Sequence, residues 1–537
     1  MKFQIFTFFS LMLAMIHSCS PVKKSEIDSD MQIEWGNKVF YEIFVQSFAD
    51  SNGDGIGDIP GMTSKLDYLN ELGVDVIWLM PMSPSPSYHK YDVIDYRSIH
   101  PDYGTMDDFK EFLQEAHKKG IYVIIDFVIN HTGYDHPWFQ NAIKGKDAEY
   151  RDFYVWANKD SIAEQIAKKE TSFDSDNIQQ WHPVQGDSTK EHYYGFFYGG
   201  MPDLNYDNPK VRNEIYETGK FWLKEIGVDG FRLDAAKHIY PDDRAEDSHA
   251  FWKEFRSKME KVNPNVYLIG EVWADAKSAS PYAAGFTSLF NFDRAFSILE
   301  SINKGEVVTA NIKGHGYEVD SNSNLAEVIN TSLPWFKNYN PGFVEASFLS
   351  NHDQNRVASV LENDERKIKL AASLLFTLPG TPYIYYGEEI GMLGIKPDEN
   401  IREPMLWDTQ NEDVNRATWI KPVYSTDDSI ASVAAQSSKE SSILSHYKNL
   451  IRLKKREVLA LGDIKHVELS NTNTISFQRS FKDESVLVIH NLSNKVLAVD
   501  SKKLNGYDQQ IWNNGDVDRS DDEMTMAPYA SVMYKRN

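Results

Sequence analysis

Short apolar runs recur along most of the chain, and segments with helical periodicity separate them. Seven runs predict β-strands, at residues 39–45, 75–80, 121–126, 230–233, 266–270, 345–349 and 382–386. The helical pattern is clearest over residues 106–119, where Phe109, Phe112, Leu113 and Ala116 share one helix face before Gly120. Repeated strand–helix units predict a parallel sheet. Their extent, about 420 residues, favours an α/β fold of the (β/α)8 TIM-barrel type over an open doubly wound sheet.

The same pattern indicates further domains. An insertion at residues 132–208 follows the third strand and is rich in Tyr, Trp, Gly and Asp. The barrel is therefore expected over residues 35–131 and 209–456. Beyond residue 456, short β-rich runs at residues 485–491 and 531–534 predict a C-terminal antiparallel β-sandwich, residues 457–537.

The N-terminal segment contains the single cysteine of the chain, Cys19. Residues 5–16 are mostly apolar, which suits a signal-peptide core and is too short to span a bilayer. A small residue, Ser18, precedes Cys19, and this arrangement resembles the processing site of bacterial lipoproteins. We expect a signal peptide at residues 1–18, lipidation at Cys19 and a flexible tether at residues 19–34. The protein would then be anchored to a membrane of the bacterial cell envelope, facing the periplasm or the exterior. An ordinary secretory signal with an incidental cysteine is the alternative.

Composition narrows the choice of partners. The chain has 56 Lys and Arg against 79 Asp and Glu, for a net charge of −23. An acidic surface repels phosphate backbones, so nucleic acid is not an expected partner. The 28 Tyr and 12 Trp suit a protein that stacks rings on ligand faces, although most such rings belong to the core.

Carboxylates collect where the predicted strands end, which is where a parallel barrel places its chemistry. Asp126, Asp234, Glu271 and Asp353 each follow or end a different strand. Converging carboxylates repel one another, so at least one has a raised pKa and can act as a general acid near neutral pH. Two carboxylates flanking a bond are what glycoside hydrolysis requires. Arg232 points the same way as Asp234 in a strand and could hold that carboxylate ionised.

These segments resemble the signature regions of the α-amylase family, glycoside hydrolase family thirteen, over residues 39–456. The resemblance implies that Asp234 is the nucleophile, Glu271 the general acid/base and Asp353 a third carboxylate that binds sugar hydroxyls. It implies substrate-binding roles for six further residues: Tyr91 as a platform, Arg232 beside the nucleophile, His131 and His352 on the sugar next to the scissile bond, and Lys237 and His238 on the leaving-group side.

The implied reaction is double displacement with retention of configuration on an α-glucan. Glu271 protonates the glycosidic oxygen while Asp234 attacks the anomeric carbon, and Glu271 then deprotonates a water. The two carboxyl groups should lie about 5 to 5.5 Å apart. Catalytically silent relatives lose the nucleophile or the acid/base, whereas this chain keeps all three carboxylates.

Specificity is predicted from the residues around the platform. In the oligo-1,6-glucosidase branch an acidic residue lies three positions before the platform tyrosine and closes the pocket behind one sugar. Tyr88 stands there in this chain, and Met201 stands where the exo-acting branch has Gln. We therefore expect cleavage of internal α-1,4 bonds, with Tyr88 stacking on a further sugar. Oligo-1,6-glucosidase, neopullulanase-like hydrolase and glucanotransferase remain the alternatives, because all of these share the catalytic residues.

A loop after the first strand predicts one structural calcium site. Asp50, Asn52, Asp54 and Asp58 supply side-chain oxygens on a Gly-rich turn, and the carbonyl of Ile56 adds a further oxygen. The loop resembles the calcium site of the oligo-1,6-glucosidase and neopullulanase branches. Many α-amylases hold a second calcium through the Asn before the first signature His. Asn130 is present, but Asn205 stands where a second Asp is expected, so a second site is not predicted. The sequence leaves the oligomeric state open.

Overall fold

The computed structural model describes residues 33–168, 179–184, 187–313, 316–409, 412–469, 473–504 and 506–536. The predicted signal peptide, Cys19 and all of the tether except its last two residues lie outside this part. Within the part described, no helix has the length and apolar character needed to cross a membrane.

Eight parallel strands form the barrel predicted from the sequence. In chain order they are β1 (Phe40–Ile43), β2 (Val76–Leu79), β3 (Tyr122–Phe127), β4 (Gly230–Leu233), β5 (Tyr267–Gly270), β6 (Ser288–Leu289), β7 (Ala346–Ser347) and β8 (Thr381–Tyr385). Their spatial order is β7-β8-β1-β2-β3-β4-β5-β6, and a parallel bridge from Phe290 to Ala346 closes the ring. The sequence pattern missed β6, because two residues are too few to show a period.

Aromatic rings fill the inside of the barrel, so it is a packed core and not a pore. Phe40 and Tyr383 stack with their centroids 4.4 Å apart, and Trp78 and Tyr267 lie in the same cluster. Gly230 allows β4 to approach β5 closely, because an added Cβ would lie 2.0 Å from the Tyr267 carbonyl oxygen.

Helices surround the strands. The α-helices are Val45–Phe48, Ile59–Ser64, Leu66–Leu72, Met106–Lys118, Pro137–Ala142, Ala163–Lys168, Pro209–Lys220, Ala245–Glu260, Ala276–Ala279, Phe292–Lys304, Leu325–Tyr339, Val357–Val360, Glu365–Thr377, Asp398–Ile401, Val433–Ser437, Ile443–Lys454 and Glu457–Ala460, with a π-helical turn at Phe221–Ile226. The helix predicted over residues 106–119 is present. Thr105 and Asp108 form a capping box at its start, and its four predicted apolar residues are buried.

The insertion folds over one edge of the barrel. Its strands Trp156–Asn158, Trp181–Val184 and Asp187–Tyr194 form an antiparallel sheet with the longest strand in the middle. The returning segment pairs with the loop after β3 through a bridge from His131 to Asp203, and with the first part of the insertion through a bridge from Tyr154 to Leu204. These bridges bring the insertion next to the ends of the barrel strands.

The C-terminal domain is the predicted β-sandwich. One sheet contains Asp463–His466, Thr474–Phe481, Glu484–Asn491, Ser531–Arg536 and Tyr507–Asn514, and the other contains Leu497–Asp500, Glu523–Met526 and Val517–Arg519. Leu487, Val499 and Met526 pack between the sheets. A separate hairpin, Thr309–Lys313 with Gly316–Asp320, extends from the barrel.

Candidate active site

A cavity of about 500 Å³ opens at the carboxyl ends of the barrel strands. Asp234, Glu271 and Asp353 all line it, although they follow three different strands. Its other lining residues are His89, Tyr91, His131, Phe197, Tyr198, Met201, Ala235, Lys237, His238, Trp273, Lys396, Asp398 and Arg402. The structure therefore brings the three predicted catalytic carboxylates together in one cavity.

Arg232 lies beneath this cavity and joins two of the carboxylates. Its side chain is 1% exposed. One guanidinium nitrogen lies 2.6 Å from Asp234 Oδ1, and the other lies 2.9 Å from Glu271 Oε1. Because side chains two apart in a strand point the same way, β4 delivers Arg232 directly below Asp234.

Asp126 occupies a deeper position than the sequence pattern suggests. It lies within β3, its side chain is fully buried, and it accepts from Arg232 at 3.0 Å. Burial raises the pKa of Asp126 to about 7, although the charge of Arg232 opposes the change. Asp126 therefore acts on the site through Arg232 and does not line the cavity.

The turn after Asp234 shapes the surroundings of Glu271. Ala235 has φ +47°, a left-handed conformation that is uncommon outside glycine. In this conformation its backbone N–H donates to Glu271 Oε2 at 3.1 Å. Loss of water contact raises the pKa of Glu271, against the charge of Arg232, and the neighbouring charges of Asp234 and Asp353 raise it further. A raised pKa is what a proton donor near neutral pH needs.

Asp353, in contrast to Glu271, has a lowered pKa. Removal from water alone would raise its pKa, but the charges of His352 and Arg402 outweigh this effect and hold the pKa of Asp353 well below its usual range. His352 Nε2 lies 3.0 Å from Asp353, and Arg402 donates to its other oxygen at 2.9 Å. Asp353 is therefore ionised at neutral pH.

His352 is fully buried and carries a charge. Burial lowers the pKa of His352, but Asp353 and Glu42 raise it more, to about 10. Glu42 comes from β1 and contacts His352 Nδ1 at 2.5 Å. Glu42 was not predicted from the sequence, although a carboxylate in the middle of an apolar strand is a signal that could have indicated it. Arg402 was also missed, and nothing in its local sequence marks it.

Tyr91 and His131 form the floor and one wall. The Tyr91 ring stacks on His352 with an interplanar angle of 16°, and its hydroxyl donates to Asp126 at 3.2 Å. Burial lowers the pKa of His131, which keeps the ring neutral. Its Nε2 is buried and has no hydrogen-bond partner within the described ranges.

The insertion and the loop after β4 form the remaining wall. Lys237 lies 3.3 Å from Asp242, and the ring of His238 stacks on Phe196 at 3.9 Å between centroids. Met201 lies on this wall, and Tyr198 is 43% exposed there.

Tyr88 is placed differently from the expectation. Its ring stacks on Trp419, 5.3 Å away at 21°, and its hydroxyl accepts from Arg402 at 3.1 Å. It does not line the cavity, because these contacts hold the ring against the neighbouring loop. Tyr198 is the exposed ring on the cavity wall.

The predicted calcium loop is compact and rich in oxygens. Asp50 accepts from the backbone N–H groups of Asn52, Gly53 and Gly55. Asp54 is exposed, whereas Asp58 caps the helix Ile59–Ser64 by accepting from Gly61 at 2.6 Å. No group of three or more His, Cys, Asp or Glu side chains in the described ranges is placed to hold a metal ion. A cation in this loop would therefore draw on Asn52 and on the Ile56 carbonyl as well as on carboxylates, and these hard oxygen donors fit calcium.

Asn130 and Asp203 meet below the insertion. Both are buried, and a hydrogen bond from Asn130 to Asp203 partly offsets the burial that raises the pKa of Asp203 to about 8. Phe196 N also donates to Asp203 at 3.1 Å. Asn205 instead donates to the Asp152 carbonyl, away from this pair.

Comparison with known families matches most of the chain. Residues 42–462 match the model for "Alpha amylase, catalytic domain", and residues 475–533 match the model for "Alpha-amylase SusG C-terminal domain". The two matches correspond to the barrel with its insertion and to the β-sandwich.

Individual relatives cover similar lengths. "Alpha-amylase 3" of Dictyoglomus thermophilum is 41% identical over 458 residues, which are 85% of this chain and 85% of that protein. "4-alpha-glucanotransferase" of Thermotoga neapolitana is 37% identical over 476 residues, covering 88% of this chain and 99% of that protein. The crystal structure of an alpha-amylase from H. orenii superposes with a TM-score of 0.80 at 38% identity, covering 93% of this chain and 99% of that one.

Proposed function

Because the chain belongs to the α-amylase family of glycoside hydrolases, we propose that it cleaves internal α-1,4-glucosidic bonds of starch, glycogen or maltooligosaccharides. The observation that best supports this proposal is the position of the Arg232 guanidinium, which contacts Asp234 and Glu271 with different nitrogens. A shared cation keeps the two carboxyl groups close together. This arrangement favours the short separation of a retaining glycosidase, about 5 to 5.5 Å, over the wider separation of an inverting one.

Each step of the proposed reaction uses one of these groups. Glu271, whose pKa is raised, donates its proton to the glycosidic oxygen as that bond breaks. Asp234 attacks the anomeric carbon and forms a covalent glycosyl-enzyme. Glu271 then removes a proton from water, which attacks the same carbon and releases Asp234. The two inversions leave the α configuration unchanged.

The remaining groups hold the sugar. Asp353, ionised and 36% exposed, accepts hydrogen bonds from sugar hydroxyls. His131 also lines the cavity and would contact a further hydroxyl. The Tyr91 ring supports the apolar face of the sugar, while Lys237 and His238 contact the leaving group.

Two observations support internal cleavage. Position 88 carries tyrosine, so no carboxylate there closes the pocket behind one sugar. The exposed Tyr198 ring offers a stacking surface for a further sugar on the cavity wall. Transfer of the glycosyl group to a second glucan, in place of water, is the other candidate. Its support is the match to the 4-alpha-glucanotransferase, which covers 99% of that protein.

An early time course on soluble starch tests the proposal. We expect rapid loss of iodine colour together with mixed maltooligosaccharides. Glucose as the sole early product, with the iodine colour persisting, would exclude internal cleavage. Products longer than a maltotetraose substrate would identify a transferase, and cleavage of pullulan or isomaltose would identify action on α-1,6 bonds.

We also propose one structural calcium ion in the loop 50–58. Asp50, Asn52, Asp54 and the Ile56 carbonyl would bind it, with Asp58 at the end of the loop. The loop is tied to a neighbouring segment through Asp50 N to Asn415 O and Thr418 N to Gly55 O. A bound cation would stabilise this attachment.

Finally, we propose that the protein is a lipoprotein of the bacterial cell envelope. The support is the sequence around Cys19, with its basic start, its short apolar core and the small residue at position 18. An enzyme held at the membrane would release its products close to the cell.

A further inference from the structure

A second and larger cavity lies beside the catalytic one, between the sheet of the insertion and the segment 238–244 after β4. Its volume is about 900 Å³, at the upper end of the range for small-molecule sites. We call it the insertion groove and define it by Trp156, Trp181, Tyr194, Asp152, Asp243 and Arg244. The three catalytic carboxylates, Asp234, Glu271 and Asp353, are not among its lining residues.

The groove adjoins the catalytic cavity. His238 lines both spaces, and its ring stacks on Phe196, which lines the groove, while the next residue, Phe197, lines the catalytic cavity. This shared wall lies on the side assigned to the leaving group. A glucan chain that leaves the catalytic carboxylates in this direction reaches the groove next.

Aromatic rings line one side of the groove. Trp181 and Tyr194 are paired across neighbouring strands of the insertion sheet, so both side chains lie on the same face. Their rings meet edge to face at 5.0 Å, and Trp181 Nε1 donates to Gln165. These contacts fix the Trp181 ring in place, and a fixed ring is a suitable platform for the apolar face of a sugar.

Charges select the class of ligand. Asp152, Asp207, Asp242 and Asp243 line the groove. Among the described residues that line it, Arg244 is the one Arg or Lys, and it is already bound by Asp207 and Asp247. Excess negative charge repels phosphorylated or otherwise anionic ligands. Carboxylates can accept hydrogen bonds from the hydroxyls of a neutral sugar.

We propose that the insertion groove binds the leaving-group portion of a long α-glucan chain, with Trp181 as its stacking platform. The inference rests on the proposed function and extends it, because it predicts that chain length determines how tightly the substrate is held.

The first test compares substrates of different length with Trp181→Ala. For maltoheptaose we expect KM to rise about five- to tenfold, the loss expected for one ring–sugar contact, with kcat little changed. For a p-nitrophenyl α-maltoside, too short to reach the groove, kcat/KM should stay within about twofold of wild type. Trp181→Phe keeps a ring and should recover most of the affinity. Tyr339→Ala removes an exposed ring at the end of the helix Leu325–Tyr339, outside the groove, and should match wild type on both substrates.

The second test measures binding without turnover. Asp234→Asn titrated with maltoheptaose should bind, and adding Trp181→Ala should weaken binding by the same five- to tenfold. Equal affinity of the single and double variants, or equal loss on both substrates for Trp181→Ala, would overturn the groove proposal. Failure of wild type to cleave any α-glucan would instead refute the proposed function, and the titration would still report on the groove.

Discussion

Replacing Glu271 by glutamine tests the division of roles between the two catalytic carboxyl groups. The side chain keeps its shape but can no longer donate or accept a proton. General acid–base catalysis contributes about 10²- to 10⁴-fold, or about 2.7 to 5.4 kcal/mol at 1.36 kcal/mol per decade. We therefore expect kcat/KM on starch to fall about 10³-fold or more, since both steps of the reaction lose their proton transfer.

The hydrogen bonds of Glu271 also indicate how much the substitution should destabilise the fold. Glu271 accepts from Arg232 on one oxygen and from Ala235 N on the other. Glutamine has a single oxygen, so one of these donors loses its acceptor, at a cost of about 1 to 3 kcal/mol. We expect Tm to fall by a few degrees with circular dichroism unchanged, which separates lost chemistry from lost folding.

An activated substrate and an added nucleophile make the assay specific. The dinitrophenolate of a dinitrophenyl α-maltoside departs without being protonated. Glu271→Gln should therefore form the glycosyl-enzyme from this substrate at a rate within about tenfold of wild type. Hydrolysis of that intermediate still needs a base. Azide needs none, and it should restore turnover and give an α-glycosyl azide. Asp234→Asn should be inactive on both substrates and insensitive to azide. An equal loss on both substrates without azide rescue would refute the assignment of Glu271, and formation of an α-glycosyl azide by Asp234→Asn would exchange the two roles.

Three further outcomes are expected. Cys19→Ala should move the protein from the membrane fraction to the soluble fraction with unchanged kcat and KM, and wild-type protein already in the soluble fraction would rule out the anchor. Calcium should raise the Tm of metal-depleted wild type by a few degrees and that of Asp54→Asn much less, and equal shifts would exclude the loop 50–58 as the site. Glu388 is buried and accepts from Tyr447 and Ser350, and burial raises its pKa to about 8. Because the folded protein keeps this proton while the unfolded chain releases it near pH 4.5, stability falls as pH rises between these values. Glu388→Gln should therefore show a higher Tm than wild type at pH 9, with the difference closing toward pH 5, and parallel Tm profiles would contradict this reasoning.

The barrel was predictable because each strand buried on both faces leaves a run of apolar residues. Residues 230–233 match β4 from end to end, and the other predicted strands overlap the observed ones. β6 could not be found in this way. It is only two residues long, Ser288–Leu289, and its place in the barrel depends on bridges to its neighbours and not on its own sequence.

The site was predictable where its residues follow strand ends. Asp234, Glu271 and Asp353 needed only the rule that parallel strands end on the same side of a barrel. Glu42 and Arg402 could be identified only from the three-dimensional structure. Glu42 contacts His352 and Arg402 contacts Asp353, each from a remote part of the chain. Tyr88 shows the limit of reasoning by position, because Trp419, more than 300 residues later, determines where its ring lies.

The distribution of charge explains which carboxyl groups have raised pKa values. The cations Arg232, His352 and Arg402 contact the carboxyl groups of Glu42, Asp126, Asp234, Glu271, Asp353 and Asp398. Because these carboxyl groups outnumber the cations, some of those that share a cation where water is scarce have raised pKa values. Asp353 contacts two cations and stays ionised. Asp126 and Glu271 share Arg232 with Asp234 and have raised pKa values. Of these two, only Glu271 reaches the cavity, so the carboxyl group with a raised pKa that a substrate can contact is the one proposed as the proton donor.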